Sequence, residues 1–210
     1  MLVVDNGGDA NVPDGVTLVS PGENLGFGAG NNLGARQATG DALVFLNPDT
    51  VVSPGGLTGL VAPLEDPSVG IVTARLRLLD RTETLNSAGN EVHVTGIAWA
   101  GAYGEPAESV SELRDVAFPT GAAMAIRRDL FEELGGFTAE LFLYQEDLEL
   151  GWRVRLRGLR VVVNPAADVL HDYDFERNPR TDPSSPIDSI SIARRKSPAF
   201  QHRVTARHRR

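Results

Sequence analysis

Gly40-Asp41-Ala42-Leu43-Val44-Phe45-Leu46-Asn47-Pro48-Asp49-Thr50 is the stretch that decides the fold. The apolar run Ala42–Leu46 is too short for a helix and has no polar alternation, so it reads as a strand buried on both faces. It runs straight into Asn-Pro-Asp, a turn sequence. Upstream, the pattern predicts a helix over about Asn31–Ala38, with Gly40 as its stop signal. Before that helix lie two short strands, Leu2–Val4, which stops at Asp5-Asn6-Gly7-Gly8, and Val16–Val19. Downstream, a helix over about Gly56–Ala62 precedes a strand at Val69–Thr73. Alternating strands and helices predict an α/β fold: a mostly parallel central sheet flanked by helices. Sheets of that kind bind ligands at the carboxyl ends of their strands, where Asp5-Asn6 and Asn47-Pro48-Asp49 both fall.

Further along, Leu76–Phe118 reads as a small β region of short, irregular segments. Thr120–Arg127 is a predicted strand and Asp129–Leu134 a helix stopped by Gly135-Gly136. Gln145–Arg157 is the clearest helix, with Leu148, Trp152 and Leu156 as its expected buried stripe and Glu149 and Arg153 as an i,i+4 ion pair. Gly158 ends it. Two strands, Val161–Val163 and Val169–Leu170, follow, and His171 closes the second. Residues 1–180 read as one domain. From Thr181 to Arg210 Ser, Pro, Asp and Arg dominate without periodicity, which predicts a disordered, basic tail.

Composition narrows the chemistry. The chain has 210 residues, a net charge of −8 and no cysteine. That excludes a disulfide scaffold, a thiolate metal site and a Cys nucleophile. Acidity disfavours general nucleic-acid binding, although Arg194–Arg210 concentrates basic residues that suit a peripheral contact with anionic lipid. No apolar run approaches the roughly 20 residues of a membrane span, and Met1–Asn6 lacks the layout of a signal peptide. A soluble or peripheral protein in the cytoplasm, at most at the inner face of the membrane, is the expectation.

Four constellations can carry chemistry, and each has a plainer explanation. Asp49, just past a buried strand, could hold Mg²⁺ or Mn²⁺ for a diphosphate, or Pro48-Asp49 could simply make a β-turn. Glu146-Asp147, at the head of the long helix, could supply a general base, or could answer the helix dipole. His171 could join Asp49 at a metal only if the fold brings them together. Gly26, Gly28 and Gly30 could form a phosphate-binding turn before a helix, or could permit close helix–strand packing; their spacing is not G-x-G-x-x-G.

The order of these signals is specific. Val3-Val4-Asp5-Asn6-Gly7, Glu23 through Asn32, Gly40 through Asp49, Thr120-Gly121-Ala122-Ala123-Met124, Leu134-Gly135-Gly136-Phe137, Tyr144 through Arg153, and His171 together resemble the family 2 glycosyltransferases, across about Leu2–Arg180. The similarity is strongest to the rhamnosyltransferase-like branch. It implies a GT-A, Rossmann-like fold and a nucleoside-diphosphate sugar donor. In that family Asp5 would contact the nucleoside, Asn31 and Asp49 the donor, and Asp49 with His171 the divalent cation. Asp147, with Glu146 beside it, would be the general base. Gly121, Ala122 and Met124 would lie where a polysaccharide or lipid-linked acceptor approaches. Asn47 stands where many relatives carry a further metal-binding Asp. The resemblance implies inverting transfer of a sugar such as rhamnose in cell-wall or polysaccharide biosynthesis. Two departures are notable: the family's first strand and helix are not seen before Leu2, and the segment after Arg180 is not the family's apolar helix. They leave open an inactive, truncated transferase, or a nucleotide-binding module without transferase activity.

Overall fold

The computed structural model describes residues 1–7 and 10–173. The disordered tail expected over Thr181–Arg210, and the domain's last stretch to Arg180, lie outside the described residues. In chain order the elements are β1 (Leu2–Val4), β2 (Thr17–Val19), α1 (Phe27–Ala35), β3 (Ala42–Leu46), β4 (Thr50–Val52), α2 (Gly56–Val61), β5 (Val69–Leu78) and β6 (Leu85–Ala88). They continue as β7 (Asn90–Val92), β8 (Ala98–Ala100), β9 (Arg114–Asp115), β10 (Ala123–Arg127), α3 (Arg128–Glu133), α4 (Glu146–Leu156) and β11 (Arg160–His171).

The central sheet has seven strands, with the path β3-β10-β5-β11-β4 and with β6 added to β5 and β9 to β11. β1 and β2 pair in parallel as a separate ribbon, and β7 and β8 form an antiparallel hairpin. The α/β class stands, but the sheet is mixed rather than mostly parallel. β3, β5 and β11 run one way, while β10 enters antiparallel between β3 and β5. Within the seven strands only the β5–β11 contact is parallel. The crossover strand comes from the distant Ala123–Arg127 segment, a placement that local periodicity does not encode.

Both faces of the sheet are covered, and the two-residue repeat of the strands divides the core accordingly. Ala123 and Ala125 of β10 face one cluster with Leu60, Val72, Ala74 and Val162. Met124 and Ile126 face the other, with Leu43, Phe45, Ile71, Leu150 and Val154. There the rings of Phe45, Phe131 and Phe137 meet at centroid distances of 5.1–5.4 Å, in tilted or edge-on geometry that suits their quadrupoles.

Three element expectations need correction. α1 starts at Phe27 rather than Asn31, because Gly28, Gly30 and Gly34 are the small, buried side of a helix seated on its neighbours. A side chain at position 34 would come within 2.9 Å of Val4. In α4 the buried row is Leu150, Gly151 and Val154, flanked by Leu148. Trp152 is 47% exposed and Leu156 86% exposed. Leu150 and Val154 share the same i,i+4 spacing as the expected stripe, and they point at β5, where Gly70 lets Val154 approach. Finally, Val161–Val163 and Val169–Leu170 belong to one strand, β11, whose register breaks between Asn164 and Asp168.

Candidate active site

Backbone pairing brings the two candidate cation ligands together. The turn after β3 closes through Thr50, whose N–H and hydroxyl both donate to the Asn47 carbonyl. The chain then enters β4, whose Thr50 pairs with His171 at the end of β11. The Asp172 N–H donates to the Asp49 carbonyl at 2.9 Å. So the segment is a β-turn, and it also delivers a carboxylate: Asp49 Oδ1 lies 3.3 Å from His171 Nε2.

That pair fits a divalent cation. Asp49 Oδ1 is buried and accepts no hydrogen bond. His171 Nδ1 lies 2.7 Å from Asn86 Oδ1, an acceptor, so this nitrogen carries a proton and Nε2 is the ring atom on the Asp49 side. A carboxylate oxygen and an imidazole nitrogen this close are a donor pair that could hold a divalent cation between them. Adjacent ligands of an octahedral Mg²⁺ stand about 3 Å apart, given bonds of about 2.1 Å. Among the described residues no group of three or more Asp, Glu or His side chains is gathered for a metal. A pair of protein ligands leaves coordination positions for substrate phosphates, the usual arrangement for Mg²⁺.

The second carboxylate site adjoins the first through the sheet. Asp147 Oδ2 accepts the Gly121 N–H at 3.0 Å, and Asp147 Oδ1 accepts the Leu148 N–H at 2.8 Å. Two residues of chain link this contact to the other site, because the Ala122 carbonyl accepts the Asn47 N–H at 2.9 Å. Asp147 is half-buried and Glu146 buried, at the head of α4. The backbone just before them is bent by Tyr144 and Gln145, with φ of 72° and 77°. Successive left-handed non-glycine residues are costly and concentrate at functional sites.

The two segments that carry the expected donor residues Asp5 and Asn31 are tied to each other. Asn6 donates to the Gly26 carbonyl and accepts the Leu25 N–H, both at 2.8 Å, which ties the Asp5-Asn6 turn to the loop before α1. Asp5 itself accepts the Ala10 N–H at 3.1 Å. The Phe27 N–H donates to the Phe142 carbonyl, so the loop before α4 is held against α1. Asn31 donates to the Phe27 carbonyl of its own helix. The glycine run serves close approach: a side chain at Gly28 would meet Phe137 at 3.1 Å, and one at Gly30 would meet Asn6 at 3.2 Å. Of the residues expected near an acceptor, Gly121 borders Phe27 and Asp147, while Ala122 is buried. Met124 is wholly enclosed in the core, where it supports β10 and offers no surface.

Sequence reasoning missed the polar residues behind this site. Among the described residues the buried polar side chains are Thr73, Asn86, Ser87 and Asn90, beside the expected Glu146 and His171. Asn86 meets His171, and Asn90 donates to the Pro119 carbonyl at 2.9 Å. Thr73 accepts the Thr120 N–H at 3.1 Å, beside Gly121. The one available signal was Asn86-Ser87-Ala88-Gly89-Asn90 itself, a polar run between apolar segments. The second half of β11 is fixed by Asp168, which accepts from Arg75, Arg77 and Ser53. Burial pushes the Asp168 carboxyl up, but the hydrogen bonds from Arg77, Ser53 and Arg75 outweigh it and hold it below the ordinary carboxylate range.

Comparison with known proteins agrees with this architecture. The profile of a family described as glycosyltransferase like family 2 matches residues 6–195. The chain is 36% identical to the O-antigen biosynthesis protein RfbC of Myxococcus xanthus, over 70% of this chain and 12% of that protein. It is 28% identical to the N-acetylglucosaminyl-diphospho-decaprenol L-rhamnosyltransferase of Mycobacterium tuberculosis strain H37Rv, over 81% of this chain and 66% of that one. It thus spans between one-eighth and two-thirds of these relatives' lengths. Among solved structures, its fold resembles GalNAc-T7 with UDP, GalNAc and Mn²⁺, with TM-score 0.64 and 19% identity over 77% of this chain and 33% of that one. It also resembles the mannosyltransferase PcManGT of Pyrobaculum calidifontis in complex with GDP-Man and Mn²⁺, with TM-score 0.55 and 18% identity over 85% and 50% of the two chains. No helix among the described residues is long and apolar enough to cross a membrane. With the family profile matching about nine-tenths of its length, the chain belongs to the family 2 glycosyltransferases.

Proposed function

We propose that this chain transfers a sugar, a deoxyhexose such as rhamnose, from a nucleoside diphosphate to a hydroxyl of a polysaccharide or lipid-linked acceptor, with inversion. The observation that carries the reading is the approach of Asp49 Oδ1 to His171 Nε2, on the sheet edge where Gly121 holds Asp147. The relatives' roles in O-antigen and rhamnosyl chemistry favour the deoxyhexose.

In this reading Asp5 binds the donor's nucleoside end, Asn31 and Asp49 contact the donor, and Asp49 and His171 hold a divalent cation, Mg²⁺ or Mn²⁺. When bound, the cation neutralises charge on the departing diphosphate. Asp147 takes the proton of the acceptor hydroxyl as its oxygen bonds to the anomeric carbon and the carbon–oxygen bond to the diphosphate breaks. Glu146 backs Asp147, and Gly121, whose N–H holds Asp147, borders the acceptor's approach. Holding donor and acceptor in line supplies a large part of the rate.

The test is transfer from a panel of nucleoside-diphosphate sugars by the full chain, with and without Mn²⁺. Asp147→Asn lowers kcat by about 10²- to 10⁴-fold and leaves nucleotide binding intact. Asp49→Ala raises the cation concentration needed. Metal-independent nucleotide binding with no transfer would instead favour a binding module, and undiminished turnover in Asp147→Asn would remove the base from the scheme.

A further inference from the structure

We infer that Asn86 is a positioning residue: its side-chain oxygen fixes the His171 ring so that Nε2, not Nδ1, is the free ligand atom facing Asp49. This rests on the reading of Asp49 and His171 as cation ligands and names what makes that pair competent.

Three observations carry it. Asn86 and His171 are both buried, and Asn86 Oδ1 lies 2.7 Å from His171 Nδ1. Within that contact the only proton available to the amide oxygen is one on Nδ1. Next, the opposite tautomer would put a proton on Nε2, whose natural acceptor is Asp49 Oδ1. That oxygen is 3.3 Å away yet accepts no hydrogen bond, so the ring is not oriented for such a donation. Last, Asn86 sits at an irregularity in β6. Ser87 pairs with Leu76 and Leu85 with Arg77, which leaves Asn86 as the extra residue between them. A bulge re-aims side chains and recurs beside active sites. Here it directs a polar side chain that a regular strand would not place toward the end of β11.

Next to it, Ser87 donates to the Gly89 carbonyl and to Asn90 Oδ1, and Asn90 reaches the Pro119 carbonyl. This neighbour network does not touch His171, which makes Ser87 a suitable control. Ligating histidines that lose the partner of their second nitrogen typically lose about 10- to 100-fold in metal affinity.

The experiment is a two-bond ¹H–¹⁵N correlation of the imidazoles of the metal-free, full chain at about pH 8.5, above the ordinary histidine range. The chain has four histidines, so the His171 signals are assigned from those lost in His171→Gln. The Nδ1–H tautomer is expected for His171 in the wild type, in Ser87→Ala and in Asn86→Asp, which keeps an acceptor oxygen. Asn86→Leu loses that signature, and its Mn²⁺ dissociation constant rises about 10- to 100-fold, while Asn86→Asp restores binding. A wild-type ring with its proton on Nε2 overturns the inference without need of any variant. So does an Asn86→Leu protein that keeps both the Nδ1–H tautomer and wild-type Mn²⁺ binding. A wild type with the Nδ1–H tautomer but no Mn²⁺ binding supports the hold of Asn86 on the ring while removing the cation reading of Asp49 and His171.

Discussion

At the residue scale, the informative positions are those where local preference loses to geometry. Tyr144 and Gln145 adopt left-handed backbone at the entry to α4, although neither is glycine. The Gln145 carbonyl still receives the Glu149 N–H at 2.8 Å, so the strained residue starts the helix that carries Glu146 and Asp147. Left-handed backbone costs an L-residue roughly 1–2 kcal/mol, and glycine avoids that cost while adding entropy to the unfolded chain. Gln145→Gly is therefore expected to raise stability by about 0.5–1 kcal/mol in chemical denaturation. A loss of stability would mean that the Gln145 side chain makes a contact stronger than the strain. Asp49, Asp147 and His171 could be proposed from the sequence because each stands at the end of a recognisable segment, and the fold brings Asp49 to His171. Asn86 could not, since an amide inside an irregular β stretch has no periodic signature and acquires its meaning from a bulge opposite β5.

At the element scale, β11 shows what a one-dimensional reading lacks. Its sequence Asn164-Pro165-Ala166-Ala167 looks like an interruption, because proline cannot donate to a ladder. In the fold, Asn164 pairs with Ala74 and Asp168 with Arg75, so three residues loop out and the strand resumes. The bulge then serves as a seat for α2. Asn164 donates to the Gly59 carbonyl at 2.7 Å, and a side chain added at Gly59 would come within 2.3 Å of the Ala166 backbone. Neither backbone can yield locally without moving β11. Gly59→Ala is expected to cost about 3 kcal/mol, read as a fall in the denaturation midpoint with an unchanged slope. The substituted helix must lift from the sheet, so the strain reaches the strand that ends in His171. Periodicity did identify β3, α2 and the core of β10. It failed on α4, where Leu148–Trp152–Leu156 and Leu150–Val154 are equally regular rows and the sheet chose the second.

At the scale of the whole molecule, the distribution of carboxylates sets the response to acid. The chain carries a net charge of −8, so protonation relieves overall repulsion. Two carboxylates act in the opposite sense. Burial pushes the Glu149 carboxyl up, but hydrogen bonds from Arg153 and Thr138 prevail and hold it low, as Arg77, Ser53 and Arg75 do for Asp168. A carboxyl whose folded pKa is depressed binds fewer protons folded than unfolded through and below the ordinary carboxylate range. Its contribution is complete at neutral pH and drains away as pH falls below about 4. Asp168→Asn should accordingly lower stability at pH 7, by about 2 kcal/mol for a partly buried pair left uncompensated, and the gap to wild type should narrow on acidification as Asp168 itself becomes neutral. Melting curves from pH 7 down to about pH 3.5 check this. A gap that stays constant would show that Asp168 acts by shape alone. A gap that narrows would show that the charge shared with Arg75 and Arg77, rather than shape, is what Asp168 contributes to the end of the strand that carries His171.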